Sequence, residues 1–143
     1  MPDLRVRALQ LLARREHSRA ELQKKLAPHA DSQEELDQVL NSLQSERLLS
    51  DHRFASQRVI MRAPRYGNTR LKQELQRSGV TEADIEAALP EAGDEVARCL
   101  AVWSRKFGHL PQSAEERGKQ MRFLQYRGFS GEAIRRVLRG VEE

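Results

Sequence analysis

Arginines are the residues in this sequence best suited to chemistry. Arg58, Arg62 and Arg65 fall at i, i+4 and i+7, a spacing that lines three guanidinium groups along one side of a helix. Arg70 and Lys72 follow in the next segment. Lys119, Arg122, Arg127, Arg135, Arg136 and Arg139 form a second basic group near the end. Rows of guanidinium groups recognise carboxylates and phosphates, so these residues are the candidates for contact with a protein partner or with DNA. Tyr126 and Phe129 are interleaved with the second group. Phe129 is expected in the core and Tyr126 at a contact surface.

Other chemistries find little support. The four histidines, at 17, 29, 52 and 109, have neither i, i+4 spacing nor a cysteine at ligand distance in sequence, and a zinc site needs three or four converging ligands. Cys99 lies on the apolar side of its segment and reads as a small buried hydrophobe rather than a nucleophile. "ERGKQ" at 116–120 holds a Gly-Lys pair. A phosphate-binding loop would need glycine at Ser113 and Ser or Thr at Gln120. No pair of carboxylates sits in an apolar context that would set up acid–base catalysis. The expectation is a protein without cofactor, metal or catalytic site.

The elements that must carry the arginines are helical. Of 143 residues, 38% are hydrophobic and 5% aromatic while 32% are charged, which suits an all-α protein with a thin core and argues against a β-sandwich. One cysteine excludes an internal disulfide and points to a reducing cytosol. No apolar run approaches the ~20 residues of a membrane span, and "MPDLRVRALQLLARR" at the start reads as an ordinary helix, not a signal peptide. The net charge of +4 is unevenly spread: residues 1–29, 52–79 and 104–140 are basic, while 30–51, 80–103 and the last three are acidic. This alternation suits basic patches separated by acidic helices rather than uniform coating of DNA.

Three stretches repeat at intervals of 49 residues: "LAPHADSQEELDQVL" (26–40), "LQRSGVTEADIEAAL" (75–89) and "LQYRGFSGEAIRRVL" (124–138). Leu26, Leu75 and Leu124 open them. Ser32, Thr81 and Ser130 stand as helix N-caps. Leu36, Ile85 and Ile134, then Leu40, Leu89 and Leu138, supply an apolar stripe. Gly79 and Gly128 suit a left-handed helix end; Ala30 stands there in the first copy, so that turn must be built differently. Caps and breakers predict nine helices, at about 4–15, 18–28, 32–47, 51–63, 68–78, 81–89, 92–107, 113–127 and 130–140. Phe54 and Trp103 are again 49 apart and extend the register to the first helix of each unit. The expected architecture is three tandem three-helix repeats, 1–49, 50–91 and 92–143, stacked into an elongated, curved body. Such a body suits a long partner better than a small substrate. Helix-turn-helix reading of duplex DNA fits poorly, since helices 3 and 6 are acidic and only "SGEAIRRVLRG" would qualify as a recognition helix.

Several strings together resemble one family. "SRAELQKKL" (18–26), "LLSDHRFASQRV" (48–59), "GNTRLKQEL" (67–75) and "FLQYRGFSGEAIRRVL" (123–138) are similar to the RecX family over nearly the whole chain. The family commonly carries a second acidic residue where this chain has Ser50. The resemblance implies a bacterial, cytosolic, non-enzymatic modulator of the RecA recombinase. It would be built from tandem three-helix repeats and bind the RecA nucleoprotein filament along its groove. There it would restrain filament growth, ATPase and strand exchange. The alternative from the residues is a protein that binds single- or double-stranded DNA directly, without RecA. A monomer with weak DNA affinity and no membrane contact is expected.

Overall fold

The computed structural model describes residues 3–140, and the acidic C-terminal residues Glu142 and Glu143 lie outside that span. The described residues form nine α-helices and no strand: α1 (Leu4–Arg14), α2 (Arg19–Leu26), α3 (Gln33–Ser45), α4 (Asp51–Arg62), α5 (Asn68–Arg77), α6 (Glu82–Ala88), α7 (Glu95–Lys106), α8 (Ala114–Tyr126) and α9 (Gly131–Leu138). Side-chain oxygens cap eight of them. Asp3, Ser18, Ser32, Ser50, Thr81, Asp94, Ser113 and Ser130 each accept from an N–H of the first turn, which satisfies a donor with no partner inside the helix. Ser18 and Glu21 close a full capping box. In the helix that Ser32 caps, Glu35 reaches one residue further back, to the N–H of Asp31 at 2.7 Å. α5 is the exception: its N-cap is Gly67, with no side chain to offer.

Several helix bounds differ from the sequence expectation: α7 starts at Glu95 rather than 92, α3 and α9 end at Ser45 and Leu138, and two further ends tighten into 3-10 turns. α2 stops at Leu26 and tightens into a 3-10 turn over Ala27–His29, because Pro28 cannot donate within the helix but fits the start of a new turn. α6 stops at Ala88, and a 3-10 turn over Leu89–Ala92 carries Pro90. Leu89 is therefore only partly buried, unlike Leu40 and Leu138. The rest of the stripe sits as the spacing predicts: Leu26, Leu75, Leu124, Leu36, Ile85 and Ile134 are all buried. Gly79 and Gly128 end α5 and α8 in the left-handed conformation, at φ of 81° and 86°. The first copy manages without one, since its 3-10 turn delivers Ala30 in an extended conformation.

The buried apolar residues form three separate clusters. One gathers Leu4, Ala8, Leu22, Leu26, Leu36, Leu40, Leu43 and Leu49. A second gathers Phe54 to Ala88, and a third Cys99 to Leu138. The chain exposes 8796 Å², against roughly 7,500 Å² for a compact monomer of the same mass. The excess is what stacked small units leave open to solvent.

The 49-residue register holds for the second and third helices of each unit and fails for the first. α4 begins at Asp51 and α7 at Glu95, 44 residues on. At that offset the buried Ala55 and Val59 fall on the buried Cys99 and Trp103. Phe54 and Trp103 are thus not equivalent, contrary to expectation. The longer connection between α7 and α8 restores the register.

The middle helices dock end to end. Gly67 N–H at the start of α5 donates to the carbonyl of Arg127 at the end of α8, at 2.9 Å, and Thr69 N–H to that of Gly128 at 3.1 Å. Forty-nine residues earlier, Ser18 Oγ at the start of α2 donates to the carbonyl of Ser78 at the end of α5, at 2.6 Å. α8, α5 and α2 therefore form one column, in which α5 rests its first turn on the last turn of α8, and α2 on that of α5.

Candidate functional site

Two joints connect the three units, and each is locked by the first residue of the incoming helix. Asp51 opens α4 and accepts from Arg19 N–H at 2.7 Å. Glu95 opens α7 and accepts from both Asn68 N–H and Ser130 N–H, each at 3.0 Å. Ser50 caps α4 through the N–H of Arg53. An arginine follows at each joint. Arg53 pairs with Glu16 at 2.7 Å. Arg98 donates to the carbonyls of Ala63, Tyr66 and Gly93 and to Asn68 Oδ1 at 2.8–3.1 Å. Burial pushes the Arg98 guanidinium below its ordinary value, with Glu95 and Asp94 opposing the shift.

Beside each joint runs an open groove, and the two are equivalent under the repeat. The first is lined by Arg15, Glu16, Phe54, Gln57, Arg58, Met61 and Arg62. The second, of about 410 Å³, is lined by Arg65, Tyr66, Val102, Arg105, Lys106, Phe123 and Arg127. At the first, three arginines share one carboxylate. Glu74 from α5, with its side chain 15% exposed, takes Arg62 at 2.8 Å, Arg70 at 3.4 Å and Arg58 at 3.8 Å. Arg62 holds it through both Nε and Nη2; the Nε contact is close but poorly aligned as a hydrogen bond. The Glu74 carboxylate raises the Arg62 guanidinium above its ordinary value.

Expectations for the arginines need correcting. Arg58 and Arg62 do not present a free face with Arg65: both turn to Glu74, while α4 ends at Arg62 and leaves Arg65 in the turn that follows. Arg70 joins them at Glu74 and stacks on Tyr66, 4.4 Å from the ring centre. Lys72 pairs with Glu82 at 3.3 Å. Arg127 separates from the rest of the second group. It lies between the rings of Tyr66 and Phe123, at 5.5 and 5.1 Å, and donates to the Arg65 carbonyl at 3.2 Å. Lys119, Arg122, Arg135, Arg136 and Arg139 are exposed on α8, α9 and the turn after it. Tyr126 is 79% exposed and Phe129 is buried, as the sequence predicts.

Sequence reasoning missed Arg105 and Lys106, which close the second groove from α7, and Glu74, which closes the first. A signal for them existed: at an offset of 49 Glu74 corresponds to Phe123, and at 44 Arg62 corresponds to Lys106. In one unit the pair is Arg62 on a carboxylate; in the next it is Lys106 over an aromatic ring, 5.4 Å from its centre.

Nothing in these grooves suggests bond chemistry. Cys99 is buried, and desolvation pushes its thiol up to about 12, far from a reactive thiolate. Among the described residues no three His, Cys, Asp or Glu converge as a metal site, and no helix is long and apolar enough to cross a membrane.

Comparison with known proteins agrees with this architecture. Family models described as the first, second and third three-helix domains of RecX match residues 5–43, 50–89 and 93–138. The chain is 46% identical over 143 residues to the regulatory protein RecX of Ralstonia nicotianae, covering 98% of this chain and 89% of that one. It is 43% identical over 138 residues to that of Chromobacterium violaceum, covering 96% and 90%. In fold it matches the crystal structure of RecX from Lactobacillus salivarius with a TM-score of 0.83 at 20% identity, over 95% of this chain and 92% of that one. A second RecX crystal structure gives 0.79 at 22%, over 94% and 70%. Three consecutive domain matches in a nine-helix repeat body, with relatives named as regulatory proteins rather than enzymes, establish that the chain belongs to the RecX family.

Proposed function

We propose that this protein regulates the RecA recombinase by docking along the RecA–DNA filament, where it restrains filament extension, ATPase and strand exchange. Its setting would be the cytosol, in homologous recombination, DNA repair and the SOS response. Membership of the RecX family supports the regulatory role. The observation that carries the docking mode is the α8–α5–α2 column. It fixes three small units, proposed as 1–49, 50–91 and 92–143, into one body with equivalent arginine-lined grooves at successive joints. A periodic rigid surface suits a periodic partner, since a second contact made by the same body adds affinity without new ordering cost.

The test is RecA ATPase on single-stranded DNA, with and without the chain as a monomer. Inhibition that deepens with concentration is expected. Unchanged ATPase and unchanged filament length by light scattering would overturn the reading. Inhibition that vanishes once excess free DNA is supplied would favour direct DNA binding without RecA.

A further inference from the structure

The two grooves descend from one repeat yet differ in charge balance. At the first joint, Glu74 sits among Arg58, Arg62 and Arg70, and Arg15 pairs with Glu21 at 3.2 Å. At the second, Arg65, Arg105, Lys106 and Arg127 line the groove with no acidic residue, and among the described residues none of them has a carboxylate within ion-pair distance. Two positions set them apart: Phe123 stands where the repeat places Glu74, and Arg65 where it places Glu16. An aromatic face holds Lys106 and Arg127 in place but leaves their charge and hydrogen-bond donors uncompensated. Arg105 and Arg127 each anchor one Nη on a backbone carbonyl, of Pro64 and Arg65. Their guanidinium planes are thereby fixed and their remaining donors left for a ligand.

We propose that this groove is a binding site for the phosphodiester backbone of a nucleic-acid strand. A solvated surface would gain nothing from four unpaired cations brought together, because they repel one another. Anchored guanidinium planes around an aromatic floor match phosphate oxygens and a sugar–base edge. Flexible protein carboxylates are already met by this fold in another way, as Glu74 is at the equivalent place. The site deepens the filament reading by naming the strand as what the second joint touches. Its test omits RecA, so that failure of the site and failure of RecA regulation are separable.

The full chain is titrated with a fluorescein-labelled single strand and, separately, with a duplex of the same sequence, while salt is varied. With four phosphates neutralised, the log affinity of the single strand should fall with log salt at a slope of about −3. The triple variant Arg65→Gln, Arg105→Gln, Lys106→Gln should flatten that slope by about 2 and lower affinity at low salt at least tenfold. The variant Phe123→Glu, which restores the carboxylate of the neighbouring unit, should flatten the slope by about 1 and lower affinity without removing any cation. The triple variant Arg135→Gln, Arg136→Gln, Arg139→Gln, with the same charge change elsewhere, should keep the wild-type slope. Whichever of strand and duplex binds more tightly names the source of the phosphates. Three results overturn the site: no binding to either nucleic acid, equal flattening by both triple variants, or equally tight binding of a glutamate peptide matched in charge.

Discussion

At the joint between the first and second units, a side chain spans the gap. Ser18 Oγ reaches the Ser78 carbonyl, while the Ser18 N–H is taken by Glu21 within its own capping box. At the joint between the second and third units there is no side chain to do this. Gly67 stands at the equivalent place, and its own N–H meets the Arg127 carbonyl. A Cβ added there would lie 2.3 Å from the Phe129 backbone. The outer lock differs likewise. Glu95 serves the Asn68 N–H across the second joint and the Ser130 N–H within its own unit, whereas Asp51 serves one N–H across the first, and burial, against the pull of that N–H, pushes the Asp51 carboxyl above its ordinary value. At this place in the repeat, one unit can therefore be joined to the next either through a side chain or through backbone that tolerates no added atom.

Substitutions can break this contrast. Gly67→Ala should have the largest effect, costing about 3 kcal/mol in urea unfolding, since the clash is with backbone and cannot be relieved by a rotamer. A cost below about 1 kcal/mol would mean that the second joint can open without loss. Glu95→Ala should cost about 2 kcal/mol by leaving two N–H groups unpaired, and Asp51→Ala about 1 kcal/mol; equal costs would erase the distinction between the locks. Ser18→Gly should cost about 1 kcal/mol, chiefly the lost bond to Ser78. Hydrogen exchange sharpens the same point, with the Arg19 amide predicted to exchange faster than those of Gly67 and Thr69.

The smallest effect is a pH dependence confined to the first unit. His17 is buried, with Nδ1 on the Arg15 carbonyl at 3.1 Å and Nε2 facing Lys25 Nζ at 3.1 Å. That arrangement fits a neutral ring that donates from Nδ1 and accepts at Nε2. Desolvation lowers its pKa from the ordinary 6.5, helped by Arg15 and Lys25 and opposed by the backbone bond to Arg15 and by Glu21. The unfolded ring thus takes the proton first, so stability holds above pH 6.5 and declines as pH falls through it. Urea midpoints at pH 7.5 and 5.5 should differ for the wild type and much less for His17→Phe. The second joint has Tyr66 at that place in the repeat and no imidazole to titrate.

Much of the fold was legible because the second and third helices of each unit keep equal lengths between their turns. Leu26, Leu75 and Leu124 mark that register without ambiguity, and the caps at Ser32, Thr81 and Ser130 fix where each third helix starts. The first helices were misaligned because Phe54 and Trp103 happen to stand 49 apart, while the longer α7–α8 connection had absorbed a shift of the whole helix. The grooves were less legible for a different reason. Arg58, Arg62 and Arg65 look like one face when only helical spacing is considered, but Glu74 approaches from another helix and captures two of them. Composition counted Glu74 as one acid among many bases; its position, not its number, decides which cations are paired.

The end-to-end column has an electrostatic consequence. Each helix carries partial positive charge at its first turn and partial negative charge at its last. In the series α8–α5–α2 the opposite poles meet at both joints and offset one another. At the second joint α5 accordingly begins with no acidic residue and α8 ends with no basic one, while at the first joint Glu21 of α2 and Arg77 of α5 remain beside the meeting poles. The poles survive only at the two extremes of the column. There Glu115 and Glu116 sit at the start of α8, and Lys24 and Lys25 at the end of α2, each of the sign that quenches the local pole. Along the body between these ends, a partner meets the field of the side chains and almost nothing of the backbone. The difference between the grooves then lies in two exchanges, Glu74 for Phe123 and Glu16 for Arg65.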